Sequence, residues 1–513
     1  MYPAQVAENA PDRPAVVIAD SAKQISYRQL ADRANQIAQL FRAHGLGPGA
    51  HVAIMVENAA AYVETVWAAH ISGIILTPVN NSLTTREVAY LINDSGARAV
   101  IASARFADVI EALTPEIENV RLRFLVGGTL PGWPSFEQAR GAQPSTPIED
   151  ECQGGYMYYS SGTTGRPKGI ALPFVRTPLE VDENIVRFLP RLVGLGEGEV
   201  VLVPGPLFHS AASNWLLALM HAGATIVLMQ RFDAEAVLRL IERYRVTFVQ
   251  FVPTHMIRLL RLPEHTRRSY DVSSLKAIVH AAAPCPAEVK RAMIDWAGPI
   301  LCEYYAATEG IGVTWINSAD WLRHPGSVGR SLVGRIHILD DDDKALPPGE
   351  VGTIYFEGSR RFEYHNDADK TKDSYNPKGW ATVGDLGYLD EDDFLYLTDR
   401  RANLIISGGV NIYPQEAENE IITMPGVADV AVLGIPHPDM GEQPVAIVQP
   451  IEWADANDTF AAAVIAHCRS RLAGYKCPRL VEFRRELPRT EVGKLLKHVL
   501  RDEVVAGRLG ASS

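Results

Sequence analysis

The feature that most constrains the fold is a long alternation of short apolar stretches with longer amphipathic ones, which runs from the N-terminus to about Gly326. The apolar stretches are rich in β-branched residues and bounded by turn residues, as buried strands are. They are Val52–Val56, Ile74–Val79, Ala99–Ala102, Leu122–Val126, Val200–Val203, Thr225–Met229, Phe248–Val252 and Ala277–Val279. Tyr27–His44 and Ala234–Tyr244 have apolar residues three and four apart, which predicts helices. This alternation predicts an α/β protein with largely parallel sheets.

The ends of one helix, and two later regions, can also be predicted. Ser26 is a suitable N-cap for the helix at Tyr27, and Gly45 a suitable stop. From about Gly326, glycine and proline become frequent, which predicts an antiparallel β region with the acidic run Asp340–Asp343 at a solvated hairpin tip. After about Asp399 the pattern predicts a small αβ unit. Its elements are a helix from Pro414, strands at Ala428–Val432 and Val445–Gln449, a helix through Arg471 and a strand at Leu480–Phe483.

Length and charge narrow the class of protein. A chain of 513 residues can form two to four domains with large cores. A net charge of −12 argues against non-specific nucleic-acid binding, which needs a basic face. The five cysteines are scattered without a CxxC pair, so we expect neither a disulfide scaffold nor a zinc cluster. The N-terminus lacks the apolar segment of a signal peptide, and Asn214–Met229 is too short to span a bilayer, so we expect a cytoplasmic protein.

The most informative segment is YYSSGTTGRPKG, which follows an apolar and aromatic strand at Tyr156–Tyr159. It combines hydroxyls, glycines and one lysine. These are Ser160, Ser161, Gly162, Thr163, Thr164, Gly165, Lys168 and Gly169. Glycines let backbone N–H groups approach an anion, hydroxyls donate further hydrogen bonds, and lysine supplies a point charge. We therefore predict a phosphate-binding loop. It is not a Walker A loop, because Pro167 stands where that pattern requires glycine.

Further motifs follow this loop in a fixed order. They are PLFH (Pro206–His209), YYAATEG (Tyr304–Gly310), GWATVGD (Gly379–Asp385), DRRANLIISGGVNIYP (Asp399–Pro414) and PRTEVGK (Pro488–Lys494). Together they make the whole chain similar to the adenylate-forming superfamily, which includes acyl-CoA synthetases, aryl-CoA ligases, adenylation domains and firefly luciferase. Within this superfamily the chain most resembles fatty-acid–CoA ligases.

The resemblance implies a fold and an activity. The fold is α/β, with a large N-terminal domain of two αβ subdomains plus a small β-barrel, at residues 1–398. A hinge at 399–402 leads to a small mobile α+β C-terminal domain at 403–513. The activity is Mg²⁺-dependent: a carboxylate attacks ATP to form an acyl-adenylate, and coenzyme A then displaces AMP. The implied partners are the acid, ATP and CoA; a homodimer is left open.

The resemblance also assigns residues to the nucleotide and to catalysis. Glu309 holds Mg²⁺, Thr308 contacts the α-phosphate, and Lys494 neutralises the attacking carboxylate and the α-phosphate. The loop residues above bind phosphate, and the remaining nucleotide contacts fall on Ala282, Tyr305, Asp385 and Arg400. Read without the family, Thr308-Glu309 is an exposed helix start, Asp385 an Asx turn, and Arg400 and Lys494 are surface residues. The apolar spacing of Leu495, Leu496, Val499 and Leu500 places Lys494 at the start of a helix.

The CoA and acyl assignments come from the same resemblance. Ser407, Gly408 and Gly409 would let the pantetheine arm pass, and Lys476 would meet the CoA phosphates. Residues 469–513 hold eleven Lys and Arg against five Asp and Glu, which fits either a polyanion or surface solubility. His209 would shield the carboxylate end of an acyl pocket lined by Phe251, Ala281, Ala283 and Gly310; a packed core histidine is the alternative.

Several alternatives remain open from the sequence. A medium- or long-chain fatty acid is the expected substrate, and an aryl, steroid or bile acid is the second. A stand-alone adenylation enzyme that loads a carrier protein would share the first half-reaction. A non-catalytic nucleotide-binding protein is the alternative outside enzymes. Ala402 replaces the charged hinge residue common in the family, which leaves the usual polar hinge contacts in question.

Overall fold

We analysed a computed structural model of the chain. It describes residues 1–160, 167–181, 188–358, 360–400, 403–408, 410–489 and 495–506, with the side chains of Leu189 and Arg400 left out. The helices are α1 Pro3–Asn9, α2 Tyr27–Ala43, α3 Ala60–Ser72, α4 Thr85–Asp94, α5 Ala107–Leu113, α6 Phe136–Gly141, α7 Leu189–Leu192, α8 Ser210–His221, α9 Ala234–Tyr244, α10 Pro253–Leu260, α11 Glu264–Arg268, α12 Ala287–Ala297, α13 Ser318–Arg323, α14 Ala368–Asp373, α15 Pro414–Ile421, α16 Asp458–Arg471 and α17 Lys497–Val505.

The strands that the sequence predicted in the α/β region are present, most of them within a residue or two of the predicted bounds, and further strands accompany them. They are β1 Pro14–Ile18, β2 Gln24–Ser26, β3 His51–Met55, β4 Ile75–Pro78, β5 Ala99–Ser103, β6 Leu122–Val126, β7 Gly155–Tyr156, β8 Tyr158–Ser160, β9 Lys168–Ala171, β10 Val200–Val203, β11 Thr225–Leu228, β12 Phe248–Phe251, β13 Ala277–His280, β14 Leu301–Ala306, β15 Val313–Asn317, β16 Arg330–Val333, β17 Arg335–Leu339, β18 Gly352–Glu357, β19 Glu363–Tyr364, β20 Asp385–Leu389, β21 Leu395–Arg400, β22 Ile405–Ser407, β23 Val410–Ile412, β24 Val427–His437, β25 Gly441–Pro450 and β26 Leu480–Phe483.

The chain divides into two compact units. The first contains Met1–Ala281, Ile300–Cys302 and Arg361–Thr371, and the second contains Ala282–Pro299, Glu303–Arg360 and Lys372–Ser513. The predicted domain limits at residues 398 and 403 stay a prediction.

The first unit confirms the α/β prediction. A five-stranded sheet of order β6-β5-β3-β4-β7 is parallel throughout. A second set of parallel neighbours, β13-β12-β10-β11-β1, ends with β2 antiparallel at the edge. The capping of α2 follows the sequence: Ser26 Oγ accepts a hydrogen bond from the Gln29 N–H at 3.3 Å, and Gly45 adopts a φ of +72° just beyond the helix.

A third, smaller sheet in the first unit carries the predicted phosphate loop. Its order is β19-β9-β8, and both pairings are antiparallel. β8 and β9 together are called the phosphate hairpin below. β19 is supplied by the segment Arg361–Thr371, which lies far along the chain but belongs to the same unit.

The second unit is built on antiparallel strands. A four-stranded sheet, β17-β18-β20-β21, stands in the region where a small β-barrel was predicted. Residues 403–506 that the structure describes, here called the C-terminal segment, form the sheet β23-β22-β25-β24 with β26 parallel to β25. Its core contains Ile405, Ile421, Val432 and Val464. Along the described ranges, no helix is both long and apolar enough to cross a membrane.

Candidate active site

The predicted phosphate loop joins the two strands of the phosphate hairpin. Ser160 and Lys168 are Cα partners at the end of the β8–β9 ladder, so they flank the loop directly. Ser161, Gly162, Thr163, Thr164 and Gly165 lie outside the described residues. A Cβ at Gly169 would lie 2.5 Å from Met157 Cε and 3.0 Å from Tyr159 Cζ, so a larger residue there would require these side chains to shift. Backbone pairing therefore brings Ser160 and Lys168 together at the mouth of the loop.

Lys168 has a counter-ion that the sequence did not indicate. Its Nζ lies 2.5 Å from Asp367 Oδ2, and the lysine side chain is only 16% exposed. Asp367 is separated from it by 199 residues of chain, and no local pattern points to the pairing. The lysine predicted to contact phosphate is thus already neutralised in the free protein.

Three predicted nucleotide-binding residues meet in the second unit. The Tyr305 hydroxyl donates a hydrogen bond to Asp385 Oδ2 at 2.6 Å, and Asp385 is the Cα partner of Arg400 across the β20–β21 ladder. Asp385 is buried as the first residue of a strand, so the Asx-turn alternative is wrong for it. The Arg400 side chain lies outside the described part. The hydroxyl of Tyr305 and the backbone of Arg400, far apart in sequence, therefore both lie next to Asp385, and the ribose role of this carboxylate stays a prediction.

The strand that carries Tyr305 is anchored by a buried ion pair. Lys290 of α12 places its Nζ 2.5 Å from Glu303 Oε2, and the two side chains are 1% and 8% exposed. Burial raises the pKa of the Glu303 carboxyl, and Lys290 opposes that rise. Because breaking a buried pair leaves an uncompensated charge, this contact fixes β14 just before its predicted site residues.

The turn after β14 holds the predicted metal and phosphate residues. The Gly310 N–H donates to the Ala307 carbonyl at 3.0 Å, and Gly310 adopts a φ of +71°, so residues 307–310 form a turn that contains Thr308. Glu309 is buried, which is at odds with the alternative of an exposed helix start. Along the described chain, no group of three acidic, histidine or cysteine side chains is placed to hold a metal ion. A single carboxylate fits Mg²⁺ that arrives with ATP, because Mg²⁺ uses few protein ligands together with phosphate oxygens and water.

The segment His280–Pro284 (HAAAP), which begins at the last residue of β13, contains a strained residue. Ala282 adopts a φ of +76°, which is rare for a residue with a Cβ and costs roughly 1–3 kcal/mol in sparsely populated regions. Ala281 before it is buried, and Ala283 after it is partly exposed. Such strain clusters at functional sites, which is consistent with the prediction that Ala282 borders the nucleotide.

The PLFH motif is held firmly within the first unit. Leu207 donates its N–H to Asn58 Oδ1 at 2.9 Å, and its carbonyl accepts the hydroxyls of Tyr62, at 2.8 Å, and of Ser213. His209 is the N-cap residue of α8, and its carbonyl accepts the Ser213 N–H at 3.0 Å. The structure thus places His209 at a helix start and leaves it partly exposed, unlike a packed core histidine.

A second histidine, His255, lies near Phe251. His255 stacks on Phe232 with ring centroids 4.1 Å apart, and it meets Phe251 edge-on at 6.1 Å. Burial, with Arg258 adding to it, lowers the pKa of His255 to about 3. Phe251 itself is fully buried at the end of β12. The neighbourhood of Phe251 is therefore aromatic and uncharged at neutral pH, apart from Arg258.

The predicted CoA residues lie in the C-terminal segment. Ser407 pairs with Val410 across the β22–β23 hairpin, and Gly408, directly after Ser407, has a φ of +57°. The hairpin alone accounts for glycine at position 408, since such turns need positive φ. Gly409 lies outside the described residues. Lys476 Nζ lies 2.5 Å from Glu416 Oε2, and this contact helps raise the pKa of the lysine against the opposing effect of burial.

The basic surplus of residues 469–513 is mostly engaged in ion pairs. Six of its basic side chains contact carboxylates of the same unit. The pairs are Arg471–Glu420, Lys476–Glu416, Arg484–Glu503, Arg489–Asp429, Lys497–Glu418 and Arg501–Glu442. The charge count therefore favours a solubility and packing role over a polyanion surface.

The C-terminal helix begins later than the sequence suggested. α17 starts at Lys497, and Leu495 instead forms a β-bridge with Arg489. Lys494 lies outside the described residues, as do residues 401 and 402 of the predicted hinge. The roles of Lys494 and of the hinge stay predictions.

Comparison with known families and proteins places these motifs in context. The AMP-binding enzyme model matches residues 3–363, and the model of the AMP-binding enzyme C-terminal domain matches residues 416–494. Over 505 residues the chain is 34% identical to a feruloyl-CoA synthase from Amycolatopsis sp, covering 98% of each chain. It is 32% identical over 492 residues to a long-chain-fatty-acid–CoA ligase from Mycobacterium tuberculosis, covering 94% of this chain and 93% of the relative.

Solved structures agree with the sequence matches. ATP-bound MatB from Rhodopseudomonas palustris superposes with a TM-score of 0.81 at 28% identity, covering 99% of this chain and all of that one. A Mycobacterium tuberculosis fatty acyl CoA synthetase gives 0.72 at 29% identity, covering 98% of both chains. The similarity thus extends over both family regions rather than one motif.

Proposed function

The chain belongs to the AMP-binding enzymes and is an AMP-forming acyl-CoA synthetase, and on that basis we propose how its residues divide the work and which acid it activates. The observation that carries the assignment of the nucleotide site is the convergence of Tyr305, Asp385 and Arg400. A carboxylate such as Asp385 accepts both ribose hydroxyls, and the Tyr305 hydroxyl already holds it in place. The Tyr305 ring then stacks on adenine.

In the first half-reaction an oxygen of the substrate carboxylate bonds to the α-phosphorus of ATP. The bond from that phosphorus to the β-phosphate oxygen breaks, and pyrophosphate leaves. The phosphate loop and Lys168 bind the departing phosphates, while Thr308 and Lys494 neutralise the α-phosphate, where charge builds up. Glu309 supplies the one protein carboxylate for Mg²⁺, which screens the phosphate charges when bound.

In the second half-reaction the CoA sulfur bonds to the acyl carbon. The bond from that carbon to the AMP oxygen breaks, AMP leaves and the thiol proton is lost. Ser407, Gly408 and Gly409 pass the pantetheine arm, and Lys476 supports the CoA phosphates. We propose that the C-terminal domain rotates about a hinge at residues 399–402. This rotation would present Lys494 to the active site in the first step and the CoA-binding residues in the second, because one small domain has to serve both steps.

The acid we propose is a medium- or long-chain fatty acid. Aromatic surroundings suit an alkyl chain, and the stacked pair of His255 and Phe232 lies beside Phe251, with His255 held neutral by burial and Arg258 over the Phe232 ring. An aryl acid is the second candidate, favoured by the 34% identity to a feruloyl-CoA synthase. His209 shields the carboxylate end of either acid.

The test is AMP release with a panel of acids, measured with and without CoA. Fatty acids of increasing length, ferulic and other aryl acids, and a bile acid form the panel. We expect CoA-dependent AMP release with fatty acids. Turnover with aryl acids alone would favour the second candidate. AMP release that requires an acyl carrier protein instead of CoA would contradict the proposed acceptor.

A matched pair of variants tests whether Asp385 binds the ribose of ATP. Asp385→Asn should raise the KM for ATP strongly, because the amide cannot accept both ribose hydroxyls. Asp390→Asn alters an aspartate of the same region that contacts His324 instead, and it should leave the KM for ATP unchanged. Equal effects of the two variants would remove the basis for the ribose assignment.

A further inference from the structure

The position of Asp367 opposite Lys168 follows from strand pairing. β19 runs antiparallel to β9, with Glu363 opposite Ala171 and Tyr364 opposite Ile170. The His365 N–H continues the ladder to the Gly169 carbonyl at 2.8 Å. The chain then turns, because the Asp367 N–H donates to the Tyr364 carbonyl at 3.1 Å, and the Asp367 carboxylate lies against the Lys168 ammonium group.

The Asp367 carboxylate is fixed by a second contact. Its Oδ1 accepts the Lys370 N–H at 3.0 Å at the start of α14, while its Oδ2 binds Lys168. The Thr371 hydroxyl donates to the Asp367 carbonyl at 2.8 Å. Lys168 and the Lys370 N–H hold the pKa of Asp367 below its usual value, so the carboxylate is charged at neutral pH. The Asp367 carboxylate is thus held by the backbone of α14 as well as by Lys168.

The turn before Asp367 is also tied to the phosphate hairpin. The Tyr159 hydroxyl donates to Asp94 Oδ2 at 2.7 Å, and Asn366 Nδ2 donates to Asp94 Oδ1 at 3.2 Å. His365 Nε2 lies 2.9 Å from the Asp94 carbonyl oxygen. Asp94 therefore joins β8 to the turn, and the carboxylate of Asp367 is held beside the loop by contacts on both sides.

From this geometry we infer that Asp367 competes with the phosphates for Lys168 and thereby weakens the binding of pyrophosphate, the leaving group of the first half-reaction. The inference rests on the proposed role of Lys168 as a phosphate ligand. An arriving triphosphate has to draw Lys168 away from a fixed carboxylate and sits near that negative charge. When pyrophosphate is formed, Asp367 recaptures the lysine and favours release.

The direction in which phosphate affinity changes when Asp367 is replaced distinguishes a competing role of this residue from a structural one. A residue that only supported the loop would weaken phosphate binding when changed. Removing a competing carboxylate strengthens it, by about 3- to 10-fold for a partly exposed charge pair. Asp367→Asn is the suitable variant, because asparagine is as good an N-cap as aspartate and should keep α14 capped.

The experiment is calorimetric titration of the full chain with magnesium pyrophosphate and, separately, with ATP, without any acid. Asp367→Asn should bind pyrophosphate about 3- to 10-fold more tightly, and Lys168→Ala should bind it more weakly. In the Lys168→Ala background the Asp367→Asn change should have less than about a 2-fold effect, because the partner is gone. Asp369→Asn, which removes an exposed charge on the same helix, is the matched control and should change little.

Each other outcome counts against the inference. Unchanged or weaker pyrophosphate binding by Asp367→Asn overturns it, as does an equal effect with and without Lys168. If Asp367→Asn does not fold, Asp367→Ser replaces it, since serine also caps; failure of both would make the residue structural and overturn the inference. A wild-type chain that binds neither ATP nor pyrophosphate would overturn the proposed function as well. If the wild-type chain binds ATP but Asp367→Asn does not tighten pyrophosphate binding, only the inference is overturned.

Discussion

The first unit and the C-terminal segment both pair basic side chains with carboxylates of their own unit, but Lys168 of the first unit finds its partner much farther along the chain. In the C-terminal segment six basic side chains of residues 469–513 contact carboxylates of the same unit. In the first unit Lys168 has a counter-ion brought from 199 residues away, and His255 has no charge because burial lowers its pKa to about 3. A local surplus of basic residues is therefore a poor guide to a ligand site.

The largest effect is expected at Lys494, for which we predict a catalytic role, in contrast to the neighbouring Lys497. Lys494→Ala should reduce adenylation by about 10²–10³-fold, as loss of a preorganised electrostatic donor does, with little effect on thioester formation from supplied acyl-adenylate. Pyrophosphate exchange and thioesterification, assayed separately, give the two rates. An equal loss in both would make Lys494 a structural residue like its neighbours.

The second effect concerns Lys497 at the start of α17. Its Nζ lies 2.8 Å from Glu418, and the two side chains are 15% and 9% exposed. Lys497→Ala should lower the free energy of unfolding by about 2–3 kcal/mol, somewhat less than the loss of a fully buried pair, and should leave pyrophosphate exchange intact. Urea denaturation measures this. Arg501→Ala, whose pair is half exposed, is the control and should cost under about 1 kcal/mol.

The third effect is a pH dependence specific to the first unit. Folded His255 stays neutral down to about pH 3, whereas the unfolded chain binds a proton there below its ordinary pKa, so the folded state loses stability as pH falls from neutrality. Between pH 8 and pH 5 this loss is about 2 kcal/mol. His255→Gln should flatten the profile, which urea midpoints at several pH values would show. Parallel profiles for the two proteins would mean that the imidazole is protonated in the fold.

The smallest effect is expected at Lys476. Because the ammonium is already paired with Glu416, Lys476→Ala should raise the KM for CoA by only about 2- to 5-fold, as a partly exposed charge contact does. The KM for ATP should not change. A rise of more than tenfold would show that Lys476 leaves Glu416 to bind the CoA phosphates. The C-terminal segment would then also supply a ligand-binding cation.

The elements that the sequence predicted best are those set by local patterns. The helix Ala234–Tyr244 and the strand Leu480–Phe483 have the predicted bounds, because apolar spacing and caps lie within the segment itself. The start of α17 was predicted too early, since Leu495 pairs instead with Arg489. That bridge depends on the segment that contains Arg489, and the apolar spacing of residues 495–500 gives no information about it.

The candidate site likewise contains residues that the sequence predicted and contacts that it did not. The motifs pointed to Tyr305, Asp385 and Arg400, and the structure brings them together. The ion pairs of Lys168 and Lys290 were missed, because a carboxylate partner on a distant or separately predicted element leaves no mark on the sequence around the lysine. Burial of Glu309 was also not derivable from a Thr-Glu pair, since it depends on what packs around the turn.

The β19–β9 pairing sets an order of events during synthesis. β9 leaves the ribosome long before the segment that completes its sheet, since Lys168 and Asp367 are 199 residues apart. At about 5–20 residues per second the nascent chain waits about 10–40 s for that strand. Meanwhile β9 presents an unpaired edge, which is a template for pairing with other chains. A ribosome that stalls within this interval would release a chain with an open phosphate hairpin, and such truncated products should depend on chaperones more than the full-length protein does.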